Sequence, residues 1–103
     1  MPTLPEIAPL ETIDSGIQIE LVRLYKVIFL DDDKTTFDFV VGILLTIFKK
    51  DHPTAVELML EVHHSGSAHV TTLPREQAEL RQALVLDAAN RERFPFRCVI
   101  EPE

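Results

Sequence analysis

Apolar residues recur along this chain with two different spacings, and the order in which the spacings alternate predicts its elements. Tyr25-Lys26-Val27-Ile28-Phe29-Leu30 is dense in β-branched and aromatic residues and too short for a stable helix, so it predicts a strand. Phe37, Val40, Val41, Leu44, Leu45 and Phe48 follow at helical spacing, widened by Ile43 and Ile47, and predict a first helix over about 36–50. A second helix over about 53–64 opens on Pro53, whose missing N–H would be unpaired in a first turn anyway. It turns Ala55, Leu58, Met59 and Val62 inward and stops at Gly66. Residues 67–73 alternate loosely as a second strand, and Pro74 opens a third helix over about 75–91 with Ala78, Leu80, Ala83, Leu84 and Ala88 inward. Residues 94–101 close the chain as a third strand through Phe96, Cys98 and Ile100. The order β-α-α-β-α-β implies an α+β fold, a small three-stranded and mainly antiparallel sheet with three helices packed on it.

The first 22 residues break this pattern. They hold Pro2, Pro5 and Pro9, the acids Glu6, Glu11, Asp14 and Glu20, and no base before Arg23, so they read as a flexible acidic tail ahead of a folded core over 23–103. With 103 residues and 46% hydrophobic content, the core is one domain. A formal charge of −7 argues against nucleic acid and anionic membranes, which select basic faces, and favours a cationic partner. Gly42 and Thr46 interrupt the longest apolar run, which is well short of the ~20 residues that span a bilayer. One cysteine, Cys98, excludes an internal disulfide, and no basic-then-apolar leader opens the chain; both point to the cytoplasm.

The chemistry concentrates where the first strand ends. Asp31, Asp32 and Asp33 cannot all be buried unpaired, because each ionised carboxylate loses several kcal/mol of hydration there. They are therefore solvated, capping, or facing a cation. Thr35 or Thr36 is suited to cap the first helix, and Asp38 complements the positive end of its dipole. The second helix ends in His63-His64-Ser65-Gly66, where His64 reads as a partner of the negative helix end.

Two segments, LYKVIFLDDDKTTFDF over 24–39 and LMLEVHHSG over 58–66, resemble the ClpS family of bacterial adaptor proteins in order and spacing. The family pattern is a Tyr-Lys-Val strand, Asn-Asp-Asp, a Thr, a bulky apolar residue and later a Met-Leu-x-x-His helix end. The resemblance runs from about residue 24 to 101 and implies an adaptor that hands proteins with a bulky apolar first residue to an AAA+ Clp unfoldase. It implies that Asp31, Asp33 and His63 grip the substrate's α-amino group. A protonated amine has three donors and no acceptor, so carboxylates and a neutral imidazole nitrogen satisfy it. The matching side-chain pocket is Phe29, Thr35, Phe37, Val40, Met59, Val62 and Phe96, and the interface charges with the N-terminal domain of a ClpA-like unfoldase fall on Glu76 and Arg81. Substrates beginning with Leu, Phe, Tyr or Trp are implied, with a monomeric adaptor and no cofactor.

The chain departs from the pattern at several positions. Asp31 replaces the family's Asn, Thr36 its Pro, Val70-Thr71 its Cys-Gly, and three phenylalanines stand where aliphatic residues or methionine are usual. These changes suggest a divergent paralogue whose pocket is smaller, more aromatic or partly filled. They also motivate a rival function, a ClpS-like docking domain that modulates the unfoldase without binding amines. A metal site from His52, His63, His64, His69 and the Asp run is disfavoured by spacing, since adjacent histidines on a helix diverge and no EF-hand glycine or Cys pair is present. Catalysis is disfavoured too: Cys98 sits among Phe96, Val99 and Ile100 as a small hydrophobe, and no phosphate loop or nucleophile elbow occurs.

Overall fold

The computed structural model describes residues 22–103. Of the segment expected to be a flexible tail, 1–21 lie outside the described residues. The core follows the predicted order: β1 (Leu24–Leu30), α1 (Phe37–Thr46), α2 (His52–Ser65), β2 (Ser67–Pro74), α3 (Arg75–Glu92) and β3 (Arg97–Pro102). β1 is the central strand, antiparallel to both neighbours, in the order β2-β1-β3.

Alternation places Val27 and Phe29 of β1, Ala68 and Val70 of β2, and Cys98 of β3 in the core. The register of β1 against β2 shifts between Val27 and Ile28, which absorbs one residue of β2 while Ala68 and Val70 both stay buried. Val40, Val41, Ile43 and Leu44 of α1 and Ala55, Met59 and Val62 of α2 complete the core with Ala78, Val85 and Ala89 of α3. Each large side chain buried here contributes about 1.5–3 kcal/mol. The Gln82 side-chain amide donates to the Cys98 carbonyl at 2.8 Å, so α3 occupies an acceptor on the outer edge of β3. Cys98 itself packs as a hydrophobe, and burial pushes its thiol pKa up to about 12.

A chain of edge-to-face aromatic rings ties the layers together. Phe48 stands 5.5 Å from Phe29, Phe29 5.0 Å from Phe96, Phe96 6.3 Å from Phe39, and Phe39 5.2 Å from Phe94, measured between ring centroids. Such pairs add about 0.5–1.5 kcal/mol each beyond the area they bury.

Three expectations need correction. First, α1 ends at Thr46 rather than near Lys50, because the chain leaves helical geometry and Lys49 takes a left-handed conformation at φ 57°. That turn brings Phe48 against Phe29. Second, β3 begins at Arg97, so Phe96 is a buried residue of the preceding connection and not of the strand. Third, the inward face of α3 is Ala78, Val85 and Ala89, with the expected Ala88 half-buried against the core. Leu80 and Leu84 are 54% and 41% exposed, and Ala83 is also exposed. Small residues at 78 and 89 let α3 approach the sheet closely, which apolarity counted without size does not reveal.

The corrected face of α3 makes a direct prediction. Val85→Ala should cost about 1–3 kcal/mol in urea denaturation, whereas Leu84→Ala should stay within about 0.5 kcal/mol of the parent.

Candidate functional site

Gly66 ends α2 in the left-handed conformation, at φ 89°, and its N–H returns to the Val62 carbonyl at 2.9 Å. A residue with a Cβ is disfavoured at that φ, so a glycine stop was readable from the sequence. The Gly66 carbonyl in turn accepts the N–H of Asp31 at 2.9 Å. The end of β1 is thereby held against the end of α2, which carries His63.

A cavity of about 330 Å³ opens at this junction, lined by Asp31, Asp32, Asp33, Thr35, Phe37, Met59 and His63. The His63 Nδ1 stands 4.0 Å from Asp31 Oδ2, and the His63 side chain is largely exposed. Asp31 is half-buried and Asp33 exposed. Phe37, 43% exposed in the first turn of α1, and Met59, buried on α2, supply the apolar wall. Of the residues proposed from sequence for amine binding and the side-chain pocket, Asp31, Asp33, His63, Thr35, Phe37 and Met59 come together here. The other four, Phe29, Val40, Val62 and Phe96, are absent from the lining and belong to the core. Phe29 and Phe96 are packed edge to face against each other.

Asp32 is the residue that sequence reasoning passed over. Its Oδ1 accepts the N–H groups of Lys34 at 2.8 Å and Thr35 at 2.7 Å, and its Oδ2 accepts the Thr35 hydroxyl at 2.7 Å. The signal was present: an Asp followed by a polar Lys-Thr-Thr run invites a side-chain to backbone turn. Burial disfavours the charged form of Asp32, but the Thr35 and Lys34 hydrogen bonds and the Arg97 charge outweigh it, and its pKa lies below the ordinary value. Between the two candidate caps, Thr36 caps α1, its hydroxyl accepting the Phe39 N–H at 3.2 Å, while Thr35 is committed to Asp32.

Among the described residues, no group of three or more His, Cys, Asp and Glu side chains is arranged to hold a metal, and no helix is long and apolar enough to cross a membrane. His69, on β2, contacts Thr71 and Thr72 instead of this cavity.

A second cleft of about 570 Å³ lies at the opposite end of β1, lined by Val22, Arg23, Tyr25, Pro74, Arg75, Glu76 and Gln77. The Arg75 guanidinium sits 5.8 Å from the Tyr25 ring centroid and pairs with Glu79 at 3.1 Å. Glu76 therefore faces a cleft, and Arg81 lies farther along α3, half-buried.

Comparison with known proteins places these features in context. Residues 20–99 match the family model described as ATP-dependent Clp protease adaptor protein ClpS. The ClpS adapter protein of Campylobacter jejuni is 43% identical over 81 residues, covering 79% of this chain and 84% of that protein. The one from Acetivibrio thermocellus is 40% identical over 90 residues, covering 87% and 91%. Among solved structures, Agrobacterium tumefaciens ClpS2 bound to L-phenylalaninamide is similar with a TM-score of 0.78 and 34% identity, over 81% of this chain and 100% of that one.

The Asp32 turn predicts how stability depends on pH. A carboxylate whose pKa is lower in the folded chain than the ordinary value of 3.8 stabilises the fold fully above that value. The contribution is lost as pH falls through the folded-state pKa. In urea midpoints measured from roughly pH 6 to 2, the advantage of the parent over Asp32→Asn should shrink towards acid. A difference that stays constant with pH would contradict the assignment.

Proposed function

The chain belongs to the ClpS family of ATP-dependent Clp protease adaptor proteins, and on that premise we propose that it is a cytoplasmic, non-enzymatic adaptor for N-degrons. It would bind the free α-amino group and bulky apolar first side chain of a substrate and deliver that substrate to an AAA+ Clp unfoldase. One observation carries this reading: acceptors and an apolar wall line the same open cavity.

In this mechanism Asp31 and Asp33 offer carboxylate oxygens and His63 a neutral ring nitrogen to the three N–H donors of the ammonium. Asp31 adds a negative charge where an amide would supply only a dipole, and its separation from His63 leaves room for an amine to engage both. The first side chain would lie against Phe37 and Met59, backed by the core to which Val40, Val62, Phe29 and Phe96 belong. A flat aromatic ring suits that wall, in keeping with the phenylalaninamide bound by the Agrobacterium relative. Leu, Phe, Tyr and Trp are the proposed first residues. Selectivity arises because the amine or the side chain alone satisfies only half of the lining.

Docking to the unfoldase is assigned to the cleft with Glu76 and to Arg81 on α3. β1 spans about 20 Å, so an adaptor could hold substrate at one end and the unfoldase at the other. No cofactor is needed for either contact, and a monomer keeps both faces free.

Fluorescence anisotropy with peptides beginning with Leu, Phe, Tyr or Trp, each paired with its N-acetylated twin, tests the reading. Only the free-amine forms should bind; binding of none would favour a docking-only domain. His63→Ala and Asp33→Ala should each weaken binding by about 1–3 kcal/mol, the range for a hydrogen bond to a charged group. The double charge reversal Glu76→Lys with Arg81→Glu should weaken capture by the unfoldase N-terminal domain and leave peptide affinity unchanged, as both lie outside the acidic cavity.

A further inference from the structure

The cavity is surrounded by hydrogen-bond donors as well as acceptors, and where those donors point decides what it can bind. Four donors of the 31–35 loop, the N–H groups of Asp31, Lys34 and Thr35 and the Thr35 hydroxyl, are engaged within the protein. Asp31 N–H goes to the Gly66 carbonyl, and the other three converge on the single carboxylate of Asp32.

We infer that Asp32 sets the sign of the pocket, acting as a positioning residue that withdraws three donors from its mouth and so makes it selective for a free ammonium over an acylated amine. The inference rests on the amine-binding reading above. Without an acceptor at position 32, consecutive backbone N–H groups and a hydroxyl would be available at one rim, an arrangement that attracts anions and carbonyl oxygens. With Asp32 in place, the Thr35 hydroxyl donates its hydrogen bond to that carboxylate and retains only acceptor capacity towards the cavity. The remaining polar side chains of the lining are then carboxylates, the Thr35 oxygen and an imidazole. An ammonium, which has donors alone, matches such a lining. An N-acetyl group brings an amide carbonyl oxygen, an acceptor for which the Thr35 N–H and hydroxyl are already engaged, and it forfeits the charge as well.

The role differs from that of Asp31 and Asp33. Those residues are proposed to touch the ligand, whereas the Asp32 oxygens are engaged by the loop. It also differs from a purely structural role, because the cap of α1 is Thr36, and loss of Asp32 leaves that cap in place.

The test is the ratio of affinities for a free-amine peptide and its N-acetylated twin, read for the full-length chain by anisotropy. Asp32→Ala should lower that ratio by about tenfold or more, with affinity for the acetylated peptide rising because donors are released. Asp33→Ala should weaken the free-amine peptide without any gain for the acetylated one. Asp32→Asn keeps an oxygen for the two backbone donors but turns an NH₂ towards Thr35, freeing the hydroxyl proton. Its ratio should fall between the parent and Asp32→Ala, which also provides the test if the alanine variant does not fold. Thr35→Val removes a donor and leaves both amides bonded to Asp32, so its ratio should stay within about threefold of the parent.

Parallel weakening of both peptides in Asp32→Ala, or weakening of the free-amine form with no gain for the acetylated one, would overturn the inference. A parent protein that binds the two peptides equally would remove the amine reading itself. Discrimination by the parent that Asp32→Ala leaves intact would remove this inference alone.

Discussion

One backbone hydrogen bond, from Asp31 N–H to the Gly66 carbonyl, joins the end of the central strand to the end of α2. The acidic loop and His63 are 32 residues apart in sequence and come from different kinds of element. Their approach depends on α2 stopping at Ser65, and that stop depends on the left-handed glycine that follows. A helix continuing past 66 would carry its carbonyl away from β1. Side chains on β1 and α2 hold the same junction from below, with Phe29 and Val62 fully buried and Met59 shared between core and cavity wall. The polar site is thus an extension of the core's rigidity.

The phenylalanines separate into two roles on this frame. Phe29 and Phe96 meet edge to face inside the core and belong to a ring chain that extends to Phe48 and Phe94. Phe37 stands apart, exposed at the start of α1 and lining the cavity. Aromatic enrichment near an apolar pocket had two possible effects, filling it or walling it. Here the buried rings supply packing while the exposed ring supplies a wall, and an open cavity of about 330 Å³ is left between the wall and the acids.

The carboxylates divide in a similar way. Asp32 is drawn into the loop by Thr35 and Lys34, where its charge holds a turn. Asp31 and Asp33 keep their oxygens towards solvent and the cavity. Three consecutive acids would repel one another if they faced one way; the turn spreads them, and Arg97 at the start of β3 adds a compensating charge for Asp32. The opposite end of β1 has a different character, with Arg23 and Arg75 beside Glu76 around a larger cleft.

Much of this protein was legible in its sequence because the signals were local. The β-branched run of β1, proline at the starts of α2 and α3, and glycine after α2 express backbone preferences that need no neighbour, and they determined element order and fold class. Asp31, Asp33, Thr35, Phe37, Met59 and His63 were instead named through the resemblance to the ClpS pattern, not from any local preference. What the tertiary structure alone decided was direction and depth. On α3, Leu80 and Leu84 are as apolar as any core residue, yet the close approach of the helix through Ala78 and Ala89 turns them outward. In the pocket, Val40, Val62, Phe29 and Phe96 were named from their positions in a motif, but packing between layers withdrew them into the core. Which aspartate turns inward to the loop was likewise decided by donors at 34 and 35 competing for one carboxylate. That competition depends on distances in a folded chain, and a sequence specifies the competitors without specifying the winner.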